Sequence, residues 1–598
     1  MRRRLAARGA AAVIASALGT ALGVAAPQAP APAPPSAPAP APAPAPAPRP
    51  AAPLLVVVHQ PGLEAAAQAW VDYRRTQGWA AETLAGTTEE DATALRSRLH
   101  RVIRSSAAAA AAAPAAAPAS ASAPGPGADP AGVAVLLLGD SLPTFMRPQP
   151  DPALVERGSG GGGRRAAFAT DAPYQDLDED GVPDLMLGRV SATSAQEAEA
   201  YLARVKATES APPGPGSTRV EVAAGEGRFG PYDSLLEMLT TSLLASWVPP
   251  TFDLRAAYAK ASSPFCPPPS MLPEVVREQA LGGALLFNYV GHGHSTGLDS
   301  LHWHGGRVRI MEADGLNPPG APPAPAPGGM ALLVCCSAGW YDLPDHRRCL
   351  AEELIFHPRG PLAVIAGSRP THPYANAIVE REALTALLRR RAATAGEVDL
   401  AVTRHLGGAA SDALDLMASP IASLQRWPLS LRALRRQHAE LYNLIGDPAL
   451  RLPLPPAPDS IVDLRREGRR VVGRVPGCAD GRVTLDLVAP RSARPAGTRA
   501  ASGPMDPLLE ERARANWKVA NEWVRARAEA ELKDGLFQVP LPEVIPEDAT
   551  VMVIRVSAPG RPLAAIGWLP VTERVRDPGA ASATFPAPWE RTSSSWRD

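Results

Sequence analysis

The sequence predicts an α/β protein built on a many-stranded, mostly parallel sheet and followed by a smaller β-rich domain. Three observations carry that expectation. Unbroken apolar runs, such as Leu54–Val58 and Val133–Leu138, alternate with stretches of helical spacing, the pattern of strands buried on both faces and joined by crossover helices. Past Pro458 the runs shorten and alternate between Gly and Pro turns, as in a small sandwich. The 68 prolines and 50 glycines among 598 residues are concentrated in a few segments, leaving enough chain for at least two cores.

In chain order, the strand Leu54–Val58 leads into a helix over Leu63–Gln77, with Ala66, Trp70 and Tyr73 on one face and Gly78 closing it. Leu95, Leu99, Val102 and Ile103 mark a second helix, and Val133–Leu138 is the next strand. Strands follow at Leu185–Leu187, Val220–Ala224, Ala284–Val290, Met330–Cys335 and Leu362–Ala366, with helices at Ser194–Lys206 and Ser234–Ser246. The Ala/Pro-rich segment 105–130 and the glycine run 158–163 read as inserts. In the last part, strands are expected at Val471–Val472, Val483–Val488, Phe537–Leu541, Val551–Val556 and Leu563–Trp568. A helical insertion over 507–534 carries Leu509, Ala513, Trp517, Ala520, Val524 and Ala528 on one face.

Sixty basic and sixty acidic residues balance, so there is no global field to gather phosphates or an anionic membrane. Nucleic acid is therefore not an expected partner, nor is a membrane beyond an N-terminal signal. That signal is read at 1–26: Arg2, Arg3, Arg4 and Arg8 precede an uncharged run ending in Val24-Ala25-Ala26, which suits a signal peptidase better than a retained anchor. Residues 27–53 form an Ala/Pro spacer and 576–598 a disordered polar tail. The expected location is outside the cytoplasm, secreted or in a bacterial envelope. The five cysteines, Cys266, Cys335, Cys336, Cys349 and Cys478, are an odd count, so an exported chain keeps at least one free thiol.

In open parallel sheets, chemistry sits just past the carboxyl ends of strands. One predicted strand runs into Gly291-His292-Gly293-His294, and another into Cys335-Cys336-Ser337-Ala338-Gly339. A thiol and an imidazole on neighbouring strand ends make a nucleophile and its base, and the Gly293 amide is placed to meet a developing oxyanion. The alternative is a buried cysteine beside a loop histidine. His292, His294, His302 and His304 also offer a zinc-binding set, without supporting Cys-x-x-Cys or Glu-x-x-His spacing. Separately, Asp176-x-Asp178-x-Asp180-Gly181-x-x-Asp184 spaces carboxylates like the start of a Ca²⁺ loop, though without the distant glutamate of an EF-hand, so a structural Ca²⁺ competes with a plain acidic turn.

At these residues the chain resembles the gingipain family of cysteine peptidases, over about Leu54–Pro455. "NYVGHGHS" resembles the family's histidine strand, and "LLVCCSAGWYD" with "CLAEELI" resembles its nucleophile strand and helix. "VLLLGD", "PDLMLGRV" and "YNLIGDPAL" follow in family order. The resemblance implies a caspase-like, doubly wound, mostly parallel peptidase domain over 54–455 and an immunoglobulin-like domain over 456–575. It implies His292 as the catalytic histidine. Aligning Gly339 with the family's glycine makes Cys336, rather than Cys335, the nucleophile, with Gly293 and Cys336 amides as oxyanion donors. "AAGEGR" resembles the segment carrying a glutamate near the histidine, which makes Glu226 the residue orienting the imidazole. Asp233 falls where Arg-specific members bind a substrate arginine, or else caps a helix.

The function these features imply is a secreted cysteine endopeptidase acting on protein or peptide substrates through a thioester acyl-enzyme, with no cofactor needed for the chemistry. The alternatives are a non-catalytic envelope or secretion-associated binding protein on the same scaffold and a zinc-dependent hydrolase.

Overall fold

A computed structural model describes residues 52–571, apart from 88, 113–131, 151–155, 158–163, 166, 228–246, 318–327, 492–496 and 500–502. The signal, the Ala/Pro spacer up to residue 51, the glycine run, the expected helix Ser234–Ser246 and the C-terminal tail lie outside the described residues.

The central element is a ten-stranded, mostly parallel sheet. Its strands are β1 (Leu54–His59), β2 (Ala80–Ala85), β3 (Val133–Leu138), β4 (Met186–Val190), β5 (Arg219–Gly225), β6 (Asp253–Ala259), β7 (Leu286–Val290), β8 (Met330–Val334), β9 (Ala363–Gly367) and β10 (Tyr442–Gly446). Across the sheet they lie in the order β6-β5-β7-β8-β9-β10-β4-β3-β1-β2. β10 runs antiparallel to β9. The inner strands β1, β4, β7, β8 and β9 are buried at every residue, which explains their largely apolar sequences; among the polar exceptions, Arg189 of β4 is bonded to Asp171 and Asn288 of β7 to Glu380. β2 and β6 are the edge strands; their interrupted patterns, such as exposed Asp253 and Arg255, hide them from a search for apolar runs.

Helices cover the sheet through their apolar stripes. The helix Glu64–Thr76 buries Ala66, Ala67, Trp70 and Val71, at helical spacing. Its Arg74 is fully buried, ion-paired to Asp447 at 2.6 Å and to Glu209 at 2.9 Å, and Trp70 Nε1 donates to the same Asp447 at 2.9 Å. Removing one partner of such a pair strands a buried charge, at a cost of about 3–5 kcal/mol. The helix Ala195–Ser210 starts where Ser194 Oγ accepts the Glu197 amide. The second helix spans Ala92–Ala112, eight residues into the segment expected to be an insert from 105, because an alanine run extends a helix at no side-chain entropy cost.

The C-terminal region is a sandwich. One sheet holds β11 (Val462–Glu467), β12 (Arg470–Arg474) and β15 (Leu536–Pro540); the other orders β14 (Val524–Leu532), β13 (Gly481–Val488), β16 (Val551–Ala558) and β17 (Arg561–Pro570). Val471, Leu485, Leu532, Val539 and Ile554 meet in its core. The expected helix over 507–534 is half right: Leu509–Ala520 is helical, but Val524–Leu532 is strand β14. There Ala526, Ala528 and Ala530 pack on the sandwich core while the intervening charged residues point outward, a period of two that outweighs the helical propensity of Ala, Glu and Arg.

The helix Leu509–Ala520 and the turn after it cover the free edge of β6. Trp517 Nε1 donates to Ala256 O at 2.9 Å, Asn521 brackets Ala256 by accepting its N–H and donating to its carbonyl, and Trp523 Nε1 donates to Leu254 O at 2.9 Å. Side chains thus complete an edge that would otherwise be open to strand addition. The described residues accordingly form one compact unit.

Candidate active site

Strands β5, β7 and β8 are neighbours and parallel, and their registers pair Ala224 with Val290 and Val290 with Val334. Glu226, His292 and Cys336 therefore each follow the same rung by two residues. All three are half-buried, at the carboxyl ends of strands whose own residues are packed away.

The two cysteines differ in their surroundings. Cys335 is fully buried, and that burial pushes its thiol well above the ordinary range, so it stays protonated and unreactive. Cys336 is half-buried, with its sulfur against Thr371 in the turn after β9. Immediately after it, Ser337 adopts φ 57°, the left-handed region that costs a non-glycine residue about 1 kcal/mol or more, and its N–H donates to Arg369 O at 3.2 Å. Arg369 in turn is held by Asp342 at 2.6 Å and stacks 4.1 Å from the Trp340 ring centroid, tying the turn after β8 to the turn after β9. All five cysteines are free thiols, more than the minimum of one that the odd count requires.

On the histidine strand, Tyr289 Oη donates to His292 O at 2.7 Å and accepts the Asp299 amide at 3.3 Å, fixing the backbone that presents the imidazole. Gly293 packs directly on the cysteine pair: a Cβ there would lie 2.6 Å from Cys335 Sγ and 3.0 Å from Cys336 O, so only glycine allows this approach. Glu226 follows Gly225, whose backbone nitrogen would lie 3.0 Å from a Cβ placed at Gly291. Asp233 lies outside the described residues.

The zinc set does not assemble. Among the described residues, the one group of three His, Cys, Asp or Glu side chains close enough to share an ion is Asp176, Asp178 and Asp184, and His294 instead pairs with Glu312 at 3.2 Å. In the acidic loop, Asp176 accepts the Glu179 and Gly181 amides, and Asp184 accepts that of Leu177. Asp180 stands apart from that group, its Oδ1 accepting the Val182 amide.

The turn Ser368–His372 carries no catalytic-looking motif, and Thr371 is missed by motif reasoning. The strand-end rule, applied to the apolar run Leu362–Ala366, points to it. Nothing local marks Asn376 or Tyr442, which reach Thr371 only through the fold.

Comparison with solved structures finds the Arg-specific cysteine proteinase gingipain R (RgpB), at 15% identity and a TM-score of 0.46, over 87% of this chain and 97% of that one. A complex of Porphyromonas gingivalis RgpB pro- and mature domains is similar at 15% identity and a TM-score of 0.43, covering 86% and 99%. No curated protein sequence matches. The family model described as peptidase family C25 matches residues 47–453, well over half of the chain. On that match, the chain belongs to peptidase family C25, the gingipain family of cysteine peptidases.

Proposed function

We propose that this chain is an exported cysteine endopeptidase in which Cys336 is the nucleophile and His292 the general acid and base. The observation that carries this reading is the shared rung: parallel register sets a half-exposed thiol and an imidazole on adjacent strand ends, while the neighbouring thiol is sealed in the core. His292 takes the proton from Cys336 Sγ, and the thiolate attacks the scissile carbonyl carbon. The Gly293 and Cys336 amides receive the oxyanion. As the tetrahedral adduct collapses, the C–N bond breaks and the imidazolium hands its proton to the leaving amine. Water, deprotonated by His292, then hydrolyses the thioester. Glu226 orients the imidazole from the adjoining strand end.

The finer assignments belong to the same proposal. Asp233 receives a basic substrate side chain, and Asp176, Asp178 and Asp184 hold a structural Ca²⁺ with Asp180 shaping the turn. The signal at 1–26 directs export, and the C-terminal sandwich is immunoglobulin-like. Digestion of a mixed peptide library by the full chain tests the proposal. Internal cleavage is expected, absent in Cys336→Ala; no cleavage in the presence of reductant and calcium, or cleavage that persists in the variant, would contradict it.

A further inference from the structure

The sulfur of Cys336 faces a small polar chain that the catalytic pair does not account for. β9 ends at Gly367, and the turn Ser368–His372 leads into the helix Pro373–Leu384, with His372 as its N-cap. Thr371, 4% exposed, stands just before that cap. Its N–H donates to Cys336 Sγ at 3.4 Å, and its Oγ1 lies 4.0 Å from the same sulfur. Oγ1 accepts from Asn376 Nδ2 at 2.9 Å, and Asn376 Oδ1 accepts from Tyr442 Oη at 2.9 Å. Asn376 and Tyr442 are themselves buried.

The polarity of this chain is set at its far end. Burial pushes the Tyr442 phenol well above its ordinary range, so it remains a donor. Asn376 spends its oxygen on Tyr442 and its amide on Thr371. Because Oγ1 accepts from Asn376, its own proton is left for another acceptor, and the sulfur is within reach. In the thiol form Sγ–H points at Thr371 O, 3.9 Å away; once that proton has moved to His292, the sulfur becomes the acceptor for both Thr371 donors. The Thr371 methyl packs on Gly367, where a Cβ would lie 2.7 Å from Thr371 Cγ2. The positive end of the twelve-residue helix adds to the same preference for negative charge.

We propose that Thr371 is a catalytic residue that stabilises the Cys336 thiolate through its amide and hydroxyl, with Asn376 and Tyr442 as positioning residues that aim the hydroxyl. This rests on Cys336 being the nucleophile. The test is the pH dependence of Cys336 alkylation by iodoacetamide, located by peptide mass spectrometry, in the full chain. Thr371→Val keeps the shape and the amide and removes the hydroxyl, so the alkylation midpoint should rise by about one pH unit, with kcat/KM at pH 6 falling about tenfold and KM unchanged. Thr371→Ser should restore both, and Tyr442→Phe should raise the midpoint by a smaller amount. A Thr371→Val midpoint equal to wild type, with turnover still abolished in Cys336→Ala, would overturn the role of Thr371 and leave the nucleophile standing. Turnover surviving Cys336→Ala would overturn the nucleophile, and this inference with it. If Thr371→Val does not fold, an unchanged midpoint in Tyr442→Phe overturns the proposal by itself.

Discussion

The carboxyl ends of β7 and β8 and the free edge of β6 belong to one sheet, and both expose backbone or polar groups that need partners. At the β6 edge the partners come from within: Trp517, Asn521 and Trp523 satisfy the Leu254 and Ala256 groups, and the C-terminal sandwich is locked on. At the strand ends, Cys336, His292 and Glu226 stay half-buried, and a strained Ser337 is retained beside them. The contrast separates two uses of polar groups in one scaffold. The edge contributes stability, whereas the strand ends keep half-exposed side chains and a strained turn, as the proposed catalytic role requires.

The largest expected effect comes from breaking the strand-end side of this comparison. Cys336→Ala should lower kcat/KM by about 10⁴-fold or more, and His292→Ala by a similar factor, with thermal unfolding unchanged. Breaking the edge side should do the reverse. Trp523→Ala removes a buried ring stacked 6.1 Å from Phe265 and should cost about 3–5 kcal/mol in urea unfolding, with kcat/KM of the folded protein within about threefold of wild type. A collapse of kcat/KM without loss of stability would erase the distinction.

A smaller effect concerns the buried layer beneath the site. Glu380 accepts from Asn288 of β7 at 2.9 Å, and burial raises its carboxyl to about 7. A carboxyl raised in the folded state contributes its stability in full below its ordinary value near 4.5 and loses it as pH rises through about 7. Glu380→Gln does not titrate, so it should match wild type in unfolding free energy at pH 4 and exceed it at pH 8, by no more than about 3 kcal/mol. Equal pH dependence in the two proteins would refute this. The smallest effect is expected at the acidic loop: chelation should lower stability by about 1–2 kcal/mol in wild type and leave Asp178→Asn unmoved.

Much of this architecture is legible in the sequence because fully buried parallel strands announce themselves. Leu54–Val58, Val133–Leu138 and Met330–Val334 need no partner pattern to be recognised, and the strand-end rule then leads to His292 and the cysteine pair. Edge strands β2 and β6 carry half-exposed, interrupted sequences and are lost. β14 reads as helix because alternating alanine and charge satisfies both periods over a short window, and only its place beside β13 decides. The choice between Cys335 and Cys336 rests on family resemblance in the sequence, since two adjacent cysteines carry the same local signal. Burial separates them: Cys335, directly after β8, is sealed in the core, whereas Cys336, one residue further past the strand end, is half-buried. The strand-end rule reaches Thr371, but Asn376 and Tyr442 join it from two other elements, so no local pattern announces those two.

The most direct measurement is the attachment site of a thiol-reactive peptide inhibitor on the intact chain, mapped by mass spectrometry in wild type, Cys335→Ala and Cys336→Ala. The account predicts label on Cys336 in wild type and in Cys335→Ala, and none in Cys336→Ala. Label on Cys335, or label that survives Cys336→Ala, would contradict it.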